Sequence, residues 1–522
     1  MRSYIRYIVL ILLFISCNKK YNNDHLAIFK YNESSGLSSL DPAFAKDQAS
    51  IWVANQIFNG LVQLDHDLNI VPSIAKSWSI SEDALEYQFT LRNDVYFHDH
   101  KIFNEGKGRR VEASDFEYSF ERLRDKNIVS PGGWILNNVE DFYAHKDSVF
   151  VIQLKKPFPG FLSLLTMQYC SVVPKEINLY KDFNIHPVGT GPFKFQLWKQ
   201  GVKLVLRRNE NYFEKDTQNN RLPYLDAIAI NFIKDKQTAF LEFIQGNLDF
   251  ISGVDASYID EVLTKEGELR LKYHEKITLT SQPYLNTEYL GFLMNKSIPI
   301  EIRKAINYGF DRAKMLKYLR NNIGKAANYG IVPPGIPSFT TNIKGYNYNI
   351  DEAKRLIAES DFDLNNEIIL STNSSYLDLC EYIQYQLGEL GLKIKLNVNP
   401  PSTHRDMVAN SKLQFFRASW IADYPDAENY LSLFYSKNFS PNGPNYTHFI
   451  SKEFDELYNN SLSENNIIER NRMYQEMDQI IIDNAVIVPL YYDEVLRFTQ
   501  KNISGLNSNA MNMLDLKTVR KE

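Results

Sequence analysis

The sequence predicts an α/β protein built from two or three packed lobes, and three observations carry that expectation. A chain of 522 residues is longer than one ordinary core supports. Short β-rich runs alternate with amphipathic helical stretches, the pattern of strands and helices packed in layers. Gly- and Pro-rich punctuation at Pro187 to Pro192 (PVGTGP) and Pro333 to Pro337 (PPGIP) stops any regular element and marks crossovers or hinges. With 44% hydrophobic and 23% charged residues and no low-complexity tract, the chain has the composition of a fully folded protein. Its 58 Lys plus Arg nearly balance 63 Asp plus Glu, with no long block of one sign, which argues against nucleic acid as a partner. The 13% aromatic content suits ring-lined pockets, although large cores use the same residues.

Taken in chain order, Arg2 and Arg6 precede an apolar run from Ile8 to Ile15 that ends at Ser16-Cys17. The run is far shorter than the roughly 20 residues a membrane-crossing helix needs, so residues 1–16 read as a secretion signal. LFISC resembles a bacterial lipobox with Phe14 where Leu is commoner, so Cys17 is expected to carry a lipid and residues 17–27 a polar tether. Around Ala75 to Asp99 the pattern is strand-rich, with LEYQFTL alternating Leu85, Tyr87, Phe89 and Leu91. A helix is expected from Ile302 to about Leu319, with Arg303, Lys304, Arg312 and Lys314 left in water. From Glu367 to Val398 the chain reads as one βαβ unit: IILSTN, a helix with Leu379, Ile383, Leu387 and Leu390 on one face, Gly391 as its cap, then KIKLNV. Another helix covers Ile467 to Ile482. Cys170 and Cys380 lie too far apart in sequence to form a disulfide scaffold and are expected as buried free thiols.

Catalytic signatures are missing. The sequence has no G-x-S-x-G, H-E-x-x-H, G-K-[ST] phosphate loop or paired C-x-x-C. His98-Asp99-His100 would place two imidazoles on one side of a strand, as metal ligands or, more simply, as a solvated strand end. No metal site, cofactor or enzymatic activity is expected.

From about Ser39 to Gly505 a series of motifs occurs in order. They include SLDPA, IFNGLVQLD, AKSWSISEDALEYQFTLRNDVYFHD, VEASDFEYSFERL, HPVGTGPFKF, RRNENYF, FIQGNLDF and IRKAINYGFDRAKML. On these the chain resembles the family 5 extracellular solute-binding proteins, the oligopeptide-, dipeptide- and nickel-binding components of bacterial ABC importers. One departure is a longer basic stretch, HKIFNEGKGRR at residues 100–110, expected to be a surface loop. The resemblance implies a periplasmic-binding-protein type II-like fold, with two hinged lobes and an additional inserted domain. Lobe I would comprise residues 28–60, 189–283 and 490–522, the inserted domain 61–188 and lobe III 284–489. Ligand would bind between the lobes, which close about a hinge.

RASWIADYPD, Arg417 to Asp426, is similar to an R-A-x-W-x-A-D-Y motif of oligopeptide-binding members. That similarity implies Asp423 as the anchor of the ligand's α-ammonium, Ser419, Trp420 and Ile421 as main-chain contacts, and Arg417 as a partner for the ligand carboxylate. A carboxylate meeting an ammonium in a closed cleft makes a charge-assisted bond, one of the strong kind. The plainer readings are a turn carboxylate for Asp423 and core packing for Trp420. The function expected is capture of short peptides by a lipid-anchored monomer of the cell envelope, facing periplasm or cell exterior. The monomer would deliver peptides to membrane permease and ATPase subunits. The alternatives are a same-fold binder of nickel or metal chelate, haem or oligosaccharide, or a surface lipoprotein acting as receptor or adhesin.

Overall fold

The computed structural model describes residues 26–254, 258–294 and 298–522. Cys17 and the signal segment therefore lie outside the described residues. Among the described residues no helix is long and apolar enough to cross a membrane.

The elements that position the cleft are, in chain order, β1 (Ile28–Asn32), α1 (Gln48–Ile57), β2 (Ala75–Ile80), β3 (Glu86–Leu91), α2 (Ala113–Arg124), β4 (Val139–Lys146) and β5 (Val149–Leu154). There follow β6 (Phe193–Lys199), β7 (Lys203–Arg208), β8 (Ala227–Asn231), β9 (Phe250–Ser252) and β10 (Ile277–Phe292). The last group is α3 (Ile300–Tyr308), α4 (Arg312–Leu319), β11 (Glu367–Asn373), α5 (Leu377–Gly388), β12 (Lys393–Asn399), β13 (Phe415–Ile421), α6 (Glu428–Leu431), α7 (Ile467–Asp483) and β14 (Ile487–Gln500). One sheet runs β12-β11-β13-β10-β14-β9-β1-β8-β7-β6, and a separate antiparallel sheet runs β2-β3-β5-β4.

β10 and β14 are long enough to serve both halves of the large sheet. Ile277–Pro283 pairs with Glu494–Gln500, the register breaks between Pro283 and Thr287, and pairing resumes from Thr287 with Tyr492. Beyond the break, β11 lies parallel to β12 and β13, which completes the expected βαβ unit, and Gly391 past α5 takes a left-handed φ of 86°. Before the break, β1 pairs in parallel with β8, whose AIAIN is buried along nearly its whole length, as a parallel strand covered on both faces must be. In the small sheet Tyr87, Phe89 and Leu91 of β3 point into the core.

Several expectations change. The predicted Ile302–Leu319 helix is two helices: the first is capped by Gly309, which packs so closely that an added Cβ would meet Leu387 at 2.6 Å and Leu390 at 2.8 Å. Asp311 then caps α4 through the Lys314 amide. Arg303 and Arg312 are buried, not wet. Arg303 donates to the carbonyls of Ile298, Asn484 and Ala485, and Arg312 to those of Asn307 and Pro489, so the guanidinium forks close the ends of neighbouring strands and helices. His98 is neither a ligand nor solvated: its Nε2 lies 2.9 Å from the Gly191 carbonyl, and burial lowers it to about 4. The 100–110 stretch is tied down at two points. Phe103 stacks on Phe97, and Arg109 pairs with Asp115 and Glu176, each at 2.6 Å. Cys170 and Cys380 are buried free thiols, raised by burial to about 12 and about 11.

His98 and the PVGTGP segment lock together against the end of α1. The Gly191 amide donates to the Ile57 carbonyl at 2.8 Å, and a Cβ on Gly189 would fall 2.0 Å from that same oxygen. Gly189→Ala should therefore overpack a backbone contact and lower stability by about 1–3 kcal/mol. Urea unfolding of the variant beside the wild type measures this.

Candidate functional site

A cavity of about 620 Å³ lies between the two halves of the molecule. One wall comes from α1 through Trp52 and Asn55, from Trp134 and from Met167–Tyr169; the other comes from Tyr284 and Ile421–Pro425; Met511 and Met513 close one side. The β10 register break builds the second wall. Leu285, inside the break, accepts the Ala422 amide at 2.9 Å and the Tyr430 hydroxyl at 2.7 Å, which holds the chain leaving β13 at the cavity. Behind the wall, Phe158 meets the buried Tyr424 edge-on at 6.3 Å.

Two of the five residues expected to bind ligand, Ile421 and Asp423, are on the cavity wall. The Asp423 carboxylate is open to the cavity, yet protein on most sides displaces water from it, and this pushes its pKa above the usual carboxylate range while an Asn429 hydrogen bond opposes the rise. Among the described residues no cation pairs with it. Its charge is felt by Tyr169 opposite, whose hydroxyl is raised to about 12 by burial first and by Asp423 second. Trp420 lies behind the wall, its indole donating to Asn429 Oδ1 at 2.9 Å. Ser419 stands opposite Glu288 in the β10–β13 ladder. Arg417 is turned away into a buried pair with Glu288, its guanidinium 3.2 Å from the centre of the Tyr376 ring. It does not line the cavity.

β13 has one unused edge. β10 pairs with it along Phe415–Ile421, but β11 pairs only at Phe415 and Phe416, so among the described residues no strand covers Arg417–Ile421 on that side. Other charges at the cavity are mostly spoken for. Lys517 is closed by Glu214 at 2.7 Å, Gln63 at 3.1 Å and Asp515 at 3.6 Å, and Asp65 accepts the Asp67 and Asn69 amides of its own turn. Lys46 borders the cavity and forms no ion pair among the described residues.

A family model for bacterial extracellular solute-binding proteins, family 5 (middle), matches residues 69–442. The chain belongs to that family. Family 5 proteins are extracytoplasmic solute-binding components of ABC transporters and are not enzymes. Relatives include heme-binding protein A of Haemophilus influenzae, 28% identical over 84% of this chain and 82% of that protein. The glutathione-binding protein GsiB of Salmonella choleraesuis is 25% identical over 90% of each. Among solved structures, the periplasmic binding protein DppA from Helicobacter pylori in complex with peptide STSA superposes with a TM-score of 0.75 at 25% identity, covering 95% of this chain and 98% of that one. HbpA2 from Haemophilus parasuis has the same fold, with a TM-score of 0.84 at 22% identity over 95% and 100% of the two chains. The type II periplasmic-binding-protein fold is thereby established.

Sequence motifs missed Asn429 and the family 5 cavity's other walls. Trp52, Met167, Met511 and Met513 belong to no pattern and meet only through folding. For the Arg417–Glu288 pair, whose side chains are 10% and 2% exposed, Arg417→Ala would leave an uncompensated buried carboxylate. Urea denaturation should register a loss of about 3–5 kcal/mol.

Proposed function

We propose that this family 5 protein captures short peptides in the cavity and delivers them to an ABC permease. The observation that carries the reading is the Asp423 carboxylate, which is enclosed by the cleft, open to its solvent and without a cation among the described residues. A free α-ammonium is the partner that such a group lacks, and every unmodified peptide carries one. The uncovered edge of β13 beside it would take an extended main chain as an added strand through Ser419, Trp420 and Ile421, giving affinity without dependence on side-chain sequence. Lys46 supplies a cation on the same cavity for a ligand with two charged ends. Arg417, engaged by Glu288, would meet a ligand carboxylate only by exchanging partners.

The domain division at 61–188 and 284–489 accompanies this reading, with the β10–β14 register break as the hinge about which the lobes close. Haem, metal chelates and oligosaccharides lack an ammonium and would leave Asp423 charged and unpaired. Glutathione, named for one relative, is itself a small peptide-like molecule with a free amine.

Asp423→Asn should weaken binding of a free-amine tripeptide by roughly a hundredfold or more in titration calorimetry, with the melting temperature of the empty protein nearly unchanged. N-acetylation of the peptide should cost the wild type a similar factor. Burial raises the carboxyl in the empty cleft and an ammonium lowers it, so binding expels a proton at acidic pH. Affinity is accordingly complete above the carboxyl's free-state pKa and declines as pH falls through it. Wild-type affinity in the Asn variant would refute the assignment.

The protein would be held at the membrane as a monomer through a lipid on Cys17, after loss of residues 1–16. Cys17→Ser should move it from the membrane pellet to the soluble extracytoplasmic fraction on centrifugation, and a pelleted variant would argue against the anchor.

A further inference from the structure

The carboxylate at the cavity does not hold its own position. Asp423 follows the end of β13 without regular structure, and one buried side chain, Asn429 in the short helix α6, bonds to both sides of that turn. Asn429 Oδ1 accepts the Trp420 indole N–H at 2.9 Å and the Asp423 backbone N–H at 3.1 Å. Both partners are donors only, so the oxygen must face them and the amide nitrogen must face the other way. The Asn429 side chain also favours the ionised Asp423 carboxylate, against the burial that raises its pKa. The helix carrying Asn429 is itself fastened: its amide donates to the Asp426 carbonyl at 3.2 Å, and Glu428 beside it accepts the Tyr424 and Tyr458 hydroxyls.

We propose that Asn429 is the positioning residue of the amine site, fixing Asp423 relative to the free edge of β13 so that a ligand's ammonium and its main chain are read in one register. The inference rests on the peptide-binding reading above. An amide suits the task for a chemical reason. Lys or Arg at this place would neutralise Asp423 and close the site. A neutral amide holds the Asp423 backbone through its oxygen and leaves the carboxylate's charge and lone pairs for the ligand.

The test compares wild type, Asn429→Ala and Asn429→Asp by titration calorimetry with trialanine and N-acetyl-trialanine from about pH 4 to 8, a span that covers the carboxyl range. The groups around Asp423 are Tyr169, Tyr430 of α6 and, on the cavity wall, Lys46, Asp65, His66 and the Asp515–Lys517 pair. All of them are shared by the three proteins, so differences between wild type and Asn429→Ala report on Asp423, and those of Asn429→Asp on Asp423 coupled to the introduced carboxylate. Asn429→Ala is expected to bind trialanine roughly 10- to 100-fold more weakly, the loss of hydrogen bonds that place a charged group, and to discriminate less against the acetylated peptide. In both variants the pH at which affinity is half lost should move upward. The Ala variant loses the amide; the Asp variant gains a second carboxylate in its place.

Melting temperature, together with the 5-fluorotryptophan resonance of Trp420 assigned by Trp420→Phe, establishes that the fold is intact. That resonance should shift in Asn429→Ala and stay in place in Asn429→Asp, where both acceptor bonds survive. If Asn429→Ala fails to fold, the pH midpoint of Asn429→Asp decides. A midpoint equal to that of wild type, or an intact Ala variant within about twofold of wild-type affinity, would overturn the positioning role alone. Failure of the wild type to bind trialanine would overturn the peptide reading and this inference with it.

Discussion

The antiparallel pairing of β10 with β14 is the constraint on which the rest of the molecule hangs. These strands run through both halves of the large sheet, so every other strand is placed by its distance from them. Their ladder is broken at one point, between Pro283 and Thr287. Proline gives the ladder no amide, and the residues after it are freed from strand pairing. Tyr284 thereby reaches the cavity, and Leu285 is left to accept the Ala422 amide. One local failure of register thus supplies part of the cleft wall and the tether that presents Asp423.

Several charges in the interior are held by polar partners. Asp478, raised by burial to about 7, accepts the Ile331 and Val332 amides. Glu428 takes two tyrosine hydroxyls, Lys517 three acceptors, and Arg303 and Arg312 a set of backbone carbonyls. Removing a charge from water without compensation is expensive, so buried charges come with partners. Asp423 differs from these in facing the cavity, where no cation among the described residues pairs with it.

Elements whose signals are local were legible. The Glu367–Val398 unit and the helix from Ile467 form where the periodicity places them, because each buries one continuous apolar face. Signals that depend on distant neighbours misled. Nothing near Gly309 in the sequence says that Leu387 and Leu390 will press on it, and nothing near Arg303 says that three carbonyls will converge there. The pair of imidazoles at His98 and His100 has the spacing of ligands, yet His98 spends its ring on the Gly191 carbonyl, more than ninety residues further along the chain.

By itself the sequence determined the α/β class and the family, and it nominated the stretch from Arg417 to Asp426 for the proposed binding site. All three are written in order along the chain, in motifs and short-range periodicity that survive without knowledge of contacts. Only the tertiary structure decided which of those residues face the cavity. Arg417 and Asp423 are an even number of residues apart, so strand alternation alone would set them on one face; instead Arg417 turns to Glu288 while Asp423, beyond the strand's end, turns to the cleft. Tertiary structure also brought Asn429, Trp52 and Met513 to the same site. Their meeting depends on three-dimensional packing between segments far apart in the chain, and no pattern within any one segment encodes it.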